Sequence, residues 1–276
     1  MHDNLNERMP TGLASLDPVL DGGIPPGSVV LLAGQPGAGN REFVYSSVIF
    51  LSKLMGKNEP SGNMKLPKTI AYTTFTRLSS SIKDEMMMSF KSDLVSDTLD
   101  NVNFIDLSEV YFEQSVVPNS WYSESSIVER FRKKSETEGI VAKLAVELEG
   151  IQKNSLIVID SITDIATQST PDNDWRELIG FLRGLQRVAK SWGSTIYILL
   201  SDGILNSQRL IEIADCSDAM ITFRWEESSG RKRQRIMYFE KFSGVMPYLE
   251  ENDLVKFAAR ITPESGFEVS NIRVII

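Results

Sequence analysis

Gly34-Gln35-Pro36-Gly37-Ala38-Gly39-Asn40-Arg41 follows an apolar run, Ser28 to Ala33, and opens a stretch of helical periodicity, Arg41 to Leu54. A strand that turns through glycines into a helix points several backbone N–H groups and a helix N-terminus at one small space, which suits an anion. The Walker A pattern is Gly, four residues, Gly, Lys, then Ser or Thr. Gly34 and Gly39 keep that spacing, while Asn40 stands at the lysine position and Arg41 at the hydroxyl position. The loop has two jobs, and they separate here. Cradling an anion needs glycines and backbone amides. Phosphoryl transfer needs the lysine on the β- and γ-phosphates and the hydroxyl on Mg²⁺. Asn40 is short and neutral, and Arg41 has no oxygen for a metal. Two dispositions of Arg41 are open: a cation beside a bound phosphate, or a side chain that fills the cradle itself.

Further along, Leu156-Ile157-Val158-Ile159-Asp160-Ser161 is an apolar strand ending in an acid, the Walker B form. Alone it reads as a buried strand followed by a capping Asp-Ser. Paired with the glycine loop it favours a nucleotide-hydrolase fold, in which this aspartate holds the water shell of Mg²⁺. The candidate phosphate-binding residues are therefore Gly34, Gln35, Pro36, Gly37, Ala38, Gly39, Asn40, Arg41, Asp160 and Ser161.

Other short apolar runs are Thr69 to Phe75, Val102 to Leu107 and Thr195 to Leu200. Runs of this kind suit a sheet covered on both faces. Helical patterns separate most of them. In the first, Val44, Val48, Leu51 and Met55 make one stripe. In the second, Trp175 to Trp192, the stripe is Leu178, Ile179, Leu182, Leu185, Val188 and Ala189, with Asp174 as expected cap and Gly193 as stop. Alternating strand and helix predict an α/β fold with a mostly parallel, doubly wound sheet. Ala219 to Arg224 and Arg235 to Phe242, flanking Ser228-Ser229-Gly230, predict an antiparallel hairpin. Lys256 to Ile261 and Phe267 to Ile275 add further C-terminal strands. Gly56 to Pro67 and Glu109 to Ser126 read as loops, the latter before a charged helix over Ile127 to Leu148.

The chain has 276 residues, 42% apolar and 24% charged, which suits one domain with a flexible N-terminus over 1–10 and an insertion over 109–150. No membrane span or signal-peptide core is visible, so the expected location is the cytoplasm. His2 is the only histidine and Cys216 the only cysteine, which removes Ser-His-Asp, Cys-His and Cys/His zinc chemistry within the chain. A formal charge of −8 disfavours nucleic acid. Arg231-Lys232-Arg233 with Arg235 is a local basic cluster, read as a solvated hairpin tip balanced by Glu226 and Glu227 in preference to a phosphate or nucleic-acid contact. Of Met86, Met87 and Met88, two are expected to pack on the core.

Beyond these readings, the chain resembles the KaiC-like group of the RecA superfamily, common in archaea. The resemblance runs from about Thr11 to Ile276. Its carriers are Thr11-Gly12-Leu13 with Leu16-Asp17, Leu20-Asp21-Gly22-Gly23-Ile24-Pro25-Pro26-Gly27-Ser28 before the first core strand, and Asp160-Ser161-Ile162-Thr163. They continue through Ile213-Ala214-Asp215, Asp218-Ala219-Met220-Ile221 and Arg260 to Phe267. The resemblance implies a RecA-like P-loop fold, ATP as ligand and active sites shared between subunits. The departures matter as much. The group carries an acidic pair after the second core strand, where a glutamate polarises water; here Thr76-Arg77 stand there. A Lys-x-Arg-Gly segment appears as Lys241-Phe242-Ser243-Gly244, so Ser243 replaces an arginine that reaches a neighbour's phosphates. Lys241 remains as a candidate inter-subunit contact.

Together these readings predict a catalytically impaired P-loop protein acting as a regulatory or assembly module. Its expected ligand is ATP, ADP or a bound phosphate or sulfate, without Mg²⁺, and no catalytic or metal residue is assigned. Its expected partner is a protein or a second copy. The alternatives are an atypical ATPase whose groups have moved, with Glu42, Glu85 and Asp164 as the acids at hand, and a recombination-type accessory that touches DNA through the basic hairpin.

Overall fold

The computed structural model describes residues 7–57, 63–95, 97–113, 115–122, 139–168, 172–227 and 233–272. Its strands are β1 (Val29–Gly34), β2 (Ile70–Thr74), β3 (Val102–Asp106), β4 (Leu156–Asp160), β5 (Thr195–Ser201), β6 (Ala219–Glu227), β7 (Arg233–Phe242), β8 (Lys256–Thr262) and β9 (Gly266–Asn271). They form one sheet in the order β3-β2-β4-β5-β1-β6-β7-β8-β9. The pairings from β3 through β6 are parallel, and those among β6, β7, β8 and β9 are antiparallel. The architecture is the α/β sheet with C-terminal antiparallel strands that the apolar runs predict.

The central strands β1, β2, β4 and β5 are buried along almost their whole length and carry long apolar runs because both faces are covered. Side chains alternate along a strand. Accordingly Val30, Leu32, Leu156, Val158, Tyr197 and Leu199 enter one core, against helix α1 (Asn40–Lys57). Val29, Leu31, Ala33, Ile157, Ile159, Ile196 and Ile198 enter the other, against the helix Asp172–Trp192. Each fully buried aliphatic side chain contributes about 1.5–3 kcal/mol relative to exposure. Gly193, at φ +63°, ends that helix in the left-handed conformation glycine adopts freely.

Two buried aspartates tie the sheet to its surroundings. Asp17 accepts from the Thr11 N–H and hydroxyl and from the Gly12 N–H, folding the segment before β1. Asp218 accepts from the Val29 N–H at 2.8 Å and pairs with Lys190 at 3.1 Å, fixing the start of β1 to the Asp172–Trp192 helix.

Several expectations change. Residues 8–10, expected in a flexible terminus, are held: Met9 exchanges both backbone hydrogen bonds with Ile24 and is 2% exposed. A polar stretch hid one apolar anchor. The expected loop from Glu109 contains a helix, Ser108–Glu113, and a turn at Asn119–Trp121. The charged helix is seen as Ile140–Glu149, burying Leu144 and Leu148; its expected part over 127–138 lies outside the described residues. Asp174 sits inside the helix it was expected to cap, because the helix starts at Asp172. The helix dipole favours an acid in the first turn as it does at the cap, so composition does not separate the two. Of the three methionines only Met86 is buried; Met87 is 51% and Met88 80% exposed. The end of the last expected strand, over 273–276, also lies outside the described residues. No helix among the described residues is long and apolar enough to cross a membrane.

Candidate functional site

The glycine loop leaves the C-terminal end of β1, Asp160 ends β4, and Arg77 follows β2, so all three meet at the carboxyl edge of the parallel strands. This is the edge where open α/β sheets bind ligands. Gly37 (φ +71°) and Gly39 (φ +112°) turn the loop through backbone space that side chains avoid. Beneath it lies Phe267, packed edge-on against Phe43 and Phe223. A Cβ on Gly39 would come within 3.0 Å of the Phe267 ring.

The loop's donors and acceptors divide cleanly. Its carbonyls and Gln35 side chain are engaged from outside by the hairpin. Trp225 N–H donates to Gln35 Oε1 at 3.0 Å, Trp225 Nε1 donates to Pro36 O at 3.2 Å, and Arg235 Nε donates to Gly37 O at 3.0 Å. Arg233 and Arg235 both stack on the Trp225 ring, with guanidinium carbons 4.3 and 4.5 Å from its centroid. On the inner side, the N–H groups of Gly37, Gly39, Asn40 and Arg41 have no acceptor among the described residues. Such a row of amides is the part of a phosphate cradle that glycines supply.

Asn40 does not reach into that cradle. Its carboxamide folds over Gly34, where a Cβ would stand 2.3 Å from Asn40 Cγ. Arg41 turns to the Walker B aspartate: its Nη2 lies 3.5 Å from Asp160 Oδ1. Asp160 is 4% exposed, and its Oδ2 accepts a 2.6 Å hydrogen bond from the Tyr72 hydroxyl. Burial alone would lower the Arg41 pKa, but Asp160 and then Tyr45 outweigh it, and the guanidinium lies above its ordinary value. Burial, reinforced by Asp160, raises the Tyr72 phenol well above its usual range, so it remains a donor.

At the position of the water-activating acid the structure places a second cation. Arg77 bonds the Tyr45 hydroxyl at 3.1 Å and makes a short ion pair with Glu85, and Tyr45 donates to the same Glu85 oxygen at 3.0 Å. Glu85 is thus committed to Arg77. Asp164 accepts from the Ser161 hydroxyl at 3.1 Å, and burial, the largest influence, raises its pKa. Lys241 donates to the carbonyls of Ala214 and Ser217 at 3.1 and 2.7 Å, at the end of the helix Ser207–Asp215 of its own chain. The loop, Asp160 and Ser161 are therefore gathered at one edge, and Lys241 is spent elsewhere.

Chains with known structures have this arrangement of strands. A KaiC-like protein from the hyperthermophilic archaeon Pyrococcus horikoshii matches with a TM-score of 0.60 and 17% identity, over 96% of this chain and 99% of that one. The chain has the fold of that KaiC-like protein. The flagellar accessory protein FlaH from Methanocaldococcus jannaschii matches as well, with a TM-score of 0.60, 15% identity and coverage of 94% and 96%. No family model matches the sequence, and no curated protein does.

In P-loop NTPases the Walker A hydroxyl and the Walker B acid together hold Mg²⁺. Here the residues at those two positions face each other as cation and anion. The donor set suits a phosphate, through amides and guanidinium, and does not suit the metal. Residues missed by sequence reading are Tyr72, Tyr45 and Trp225. The basic cluster was read as a solvated tip; of it, Arg233 and Arg235 clasp Trp225 against the loop, while Arg231 and Lys232 lie outside the described residues.

Proposed function

We propose that this chain is a non-catalytic binding and assembly module on a KaiC-like scaffold. Its glycine loop holds a phosphate-bearing ligand, ATP or ADP in the first instance, without hydrolysing it. The Arg41–Asp160 ion pair carries this reading, because it joins to each other the two positions that would hold Mg²⁺. Three further replacements support it: Asn40 for the lysine, Arg77 for the water-activating acid and Ser243 for the arginine. An arginine finger alone is worth about 10³–10⁵ in rate. Such groups act as a unit, so the losses do not multiply, but turnover falls to negligible levels. The partner is a protein or a second copy of this chain, by analogy with P-loop ATPases that assemble, and the setting is the cytoplasm.

The nucleic-acid alternative loses support, because Arg233 and Arg235 are engaged by Trp225 and the loop. Of the acids at hand for the atypical-ATPase alternative, Glu85 is tied to Arg77 and Asp164 accepts from Ser161. Phosphate release from ATP and Mg²⁺ tests the proposal. No release above a protein-free blank is expected. Release that disappears in Asp160→Ala would assign an ATPase instead.

A further inference from the structure

We propose that the site takes a metal-free polyphosphate, and that Mg²⁺ opposes its binding. This rests on the phosphate-binding reading above and deepens it. Three observations carry it. First, Arg41 is uncommitted as a donor. Among the described residues its only contact of opposite charge is the 3.5 Å approach to Asp160, its side chain is 42% exposed, and its buried Nε has no hydrogen-bond partner there. A guanidinium offers five N–H donors in a planar fork suited to phosphate oxygens. Second, four consecutive-turn amides, those of Gly37, Gly39, Asn40 and Arg41, lack acceptors among the described residues. Third, the metal's ligands are missing. Asp160 offers one oxygen to Arg41 and the other to Tyr72, the Ser161 hydroxyl donates to Asp164, and position 41 has no oxygen.

Charge decides the form of the ligand. A free polyphosphate brings unshielded negative charge to Arg41, with Arg77 within electrostatic reach of that guanidinium. A magnesium complex brings a dication to the same place, with part of the phosphate charge already neutralised. Attraction falls and cation–cation repulsion rises, and both effects run the same way. The recognised chemistry is the phosphate chain, shared by a nucleoside triphosphate and inorganic triphosphate.

Calorimetric titration of the full chain tests this. Sodium ATP and inorganic triphosphate are titrated separately, in EDTA and again with Mg²⁺ in excess over phosphate, at matched ionic strength. Binding is expected in EDTA and is expected to weaken at least about tenfold with Mg²⁺, the effect of a modest charge–charge difference. Equal binding of both ligands assigns recognition to the phosphate chain, and binding of ATP alone adds the nucleoside; either supports the inference if Mg²⁺ weakens it. Arg41→Thr, checked for folding by circular dichroism, is expected to lose binding in EDTA. Binding that is equal or tighter with Mg²⁺ overturns the inference and leaves the phosphate-binding reading standing. No binding of either ligand in either condition overturns both.

Discussion

The guanidinium of Arg41 stands 3.5 Å from a carboxylate oxygen of Asp160, joining the first turn of α1 to the end of β4. The pair is lopsided. Asp160 is buried, and the Arg41 side chain is 42% exposed. Removing Arg41 leaves a buried carboxylate with, among the described residues, the Tyr72 hydroxyl as its partner, whereas removing the Asp160 charge leaves a guanidinium that water still reaches. Arg41→Ala is therefore expected to cost about 1–2 kcal/mol, and Asp160→Asn less than about 1 kcal/mol. Urea unfolding of the two variants checks the order.

Trp225 and Arg235 are expected to brace the glycine loop. Trp225→Ala removes the indole hydrogen bond to Pro36 and the platform for two guanidinium groups. Its backbone N–H survives the substitution, so the loss falls on the indole: about 2 kcal/mol from Nε1, ring area and stacking. Trp225→Phe keeps most of the stacking and is expected to cost about half as much. Thermal unfolding ranks them.

Two loop glycines are expected to respond unequally to alanine. At Gly37 the nearest obstacle to a Cβ is Trp225 at 3.9 Å, so only the left-handed backbone is penalised, by about 1–2 kcal/mol. At Gly39, φ +112° combines with a 3.0 Å approach to Phe267, and the cost is expected to exceed that of Gly37 by about 1 kcal/mol or more. Denaturant midpoints of the two variants test the difference.

Asp164 gives a pH dependence of known sign. Burial raises its folded pKa above the ordinary 3.8. A group raised on folding favours the folded state fully below its unfolded pKa, and that contribution is lost as pH rises through the folded value. Asp164→Asn keeps an oxygen for the Ser161 hydroxyl and carries no charge. Its stability relative to the parent is expected to increase as pH rises from the unfolded value through the folded one and to level off above it. Melting curves across pH check it; a gap that narrows with rising pH contradicts it.

The strands were legible because their burial on two faces leaves unbroken apolar runs such as Leu156 to Ile159, and the glycine spacing marked the loop. What the loop's side chains do was not legible. Whether Arg41 enters the cradle or crosses to Asp160 depends on a contact between segments far apart in the chain. Trp225 carries no local signal either, since on a hairpin it reads as an ordinary strand residue, and Arg235 stands out only as part of a basic cluster whose contact with the loop is not local. Met87 and Met88 show the opposite failure, in which apolar composition suggested burial that the short helix Ser79–Ser89 does not provide.

The central claim, that Arg41 takes the metal's place at Asp160, is tested most directly with Mn²⁺ as a spectroscopically visible substitute for Mg²⁺. Electron paramagnetic resonance reports free Mn²⁺ in a titration of ATP with and without the protein. The account predicts that the protein adds no bound Mn²⁺ beyond what ATP alone holds. Additional protein-dependent Mn²⁺ that vanishes in Asp160→Asn would contradict it.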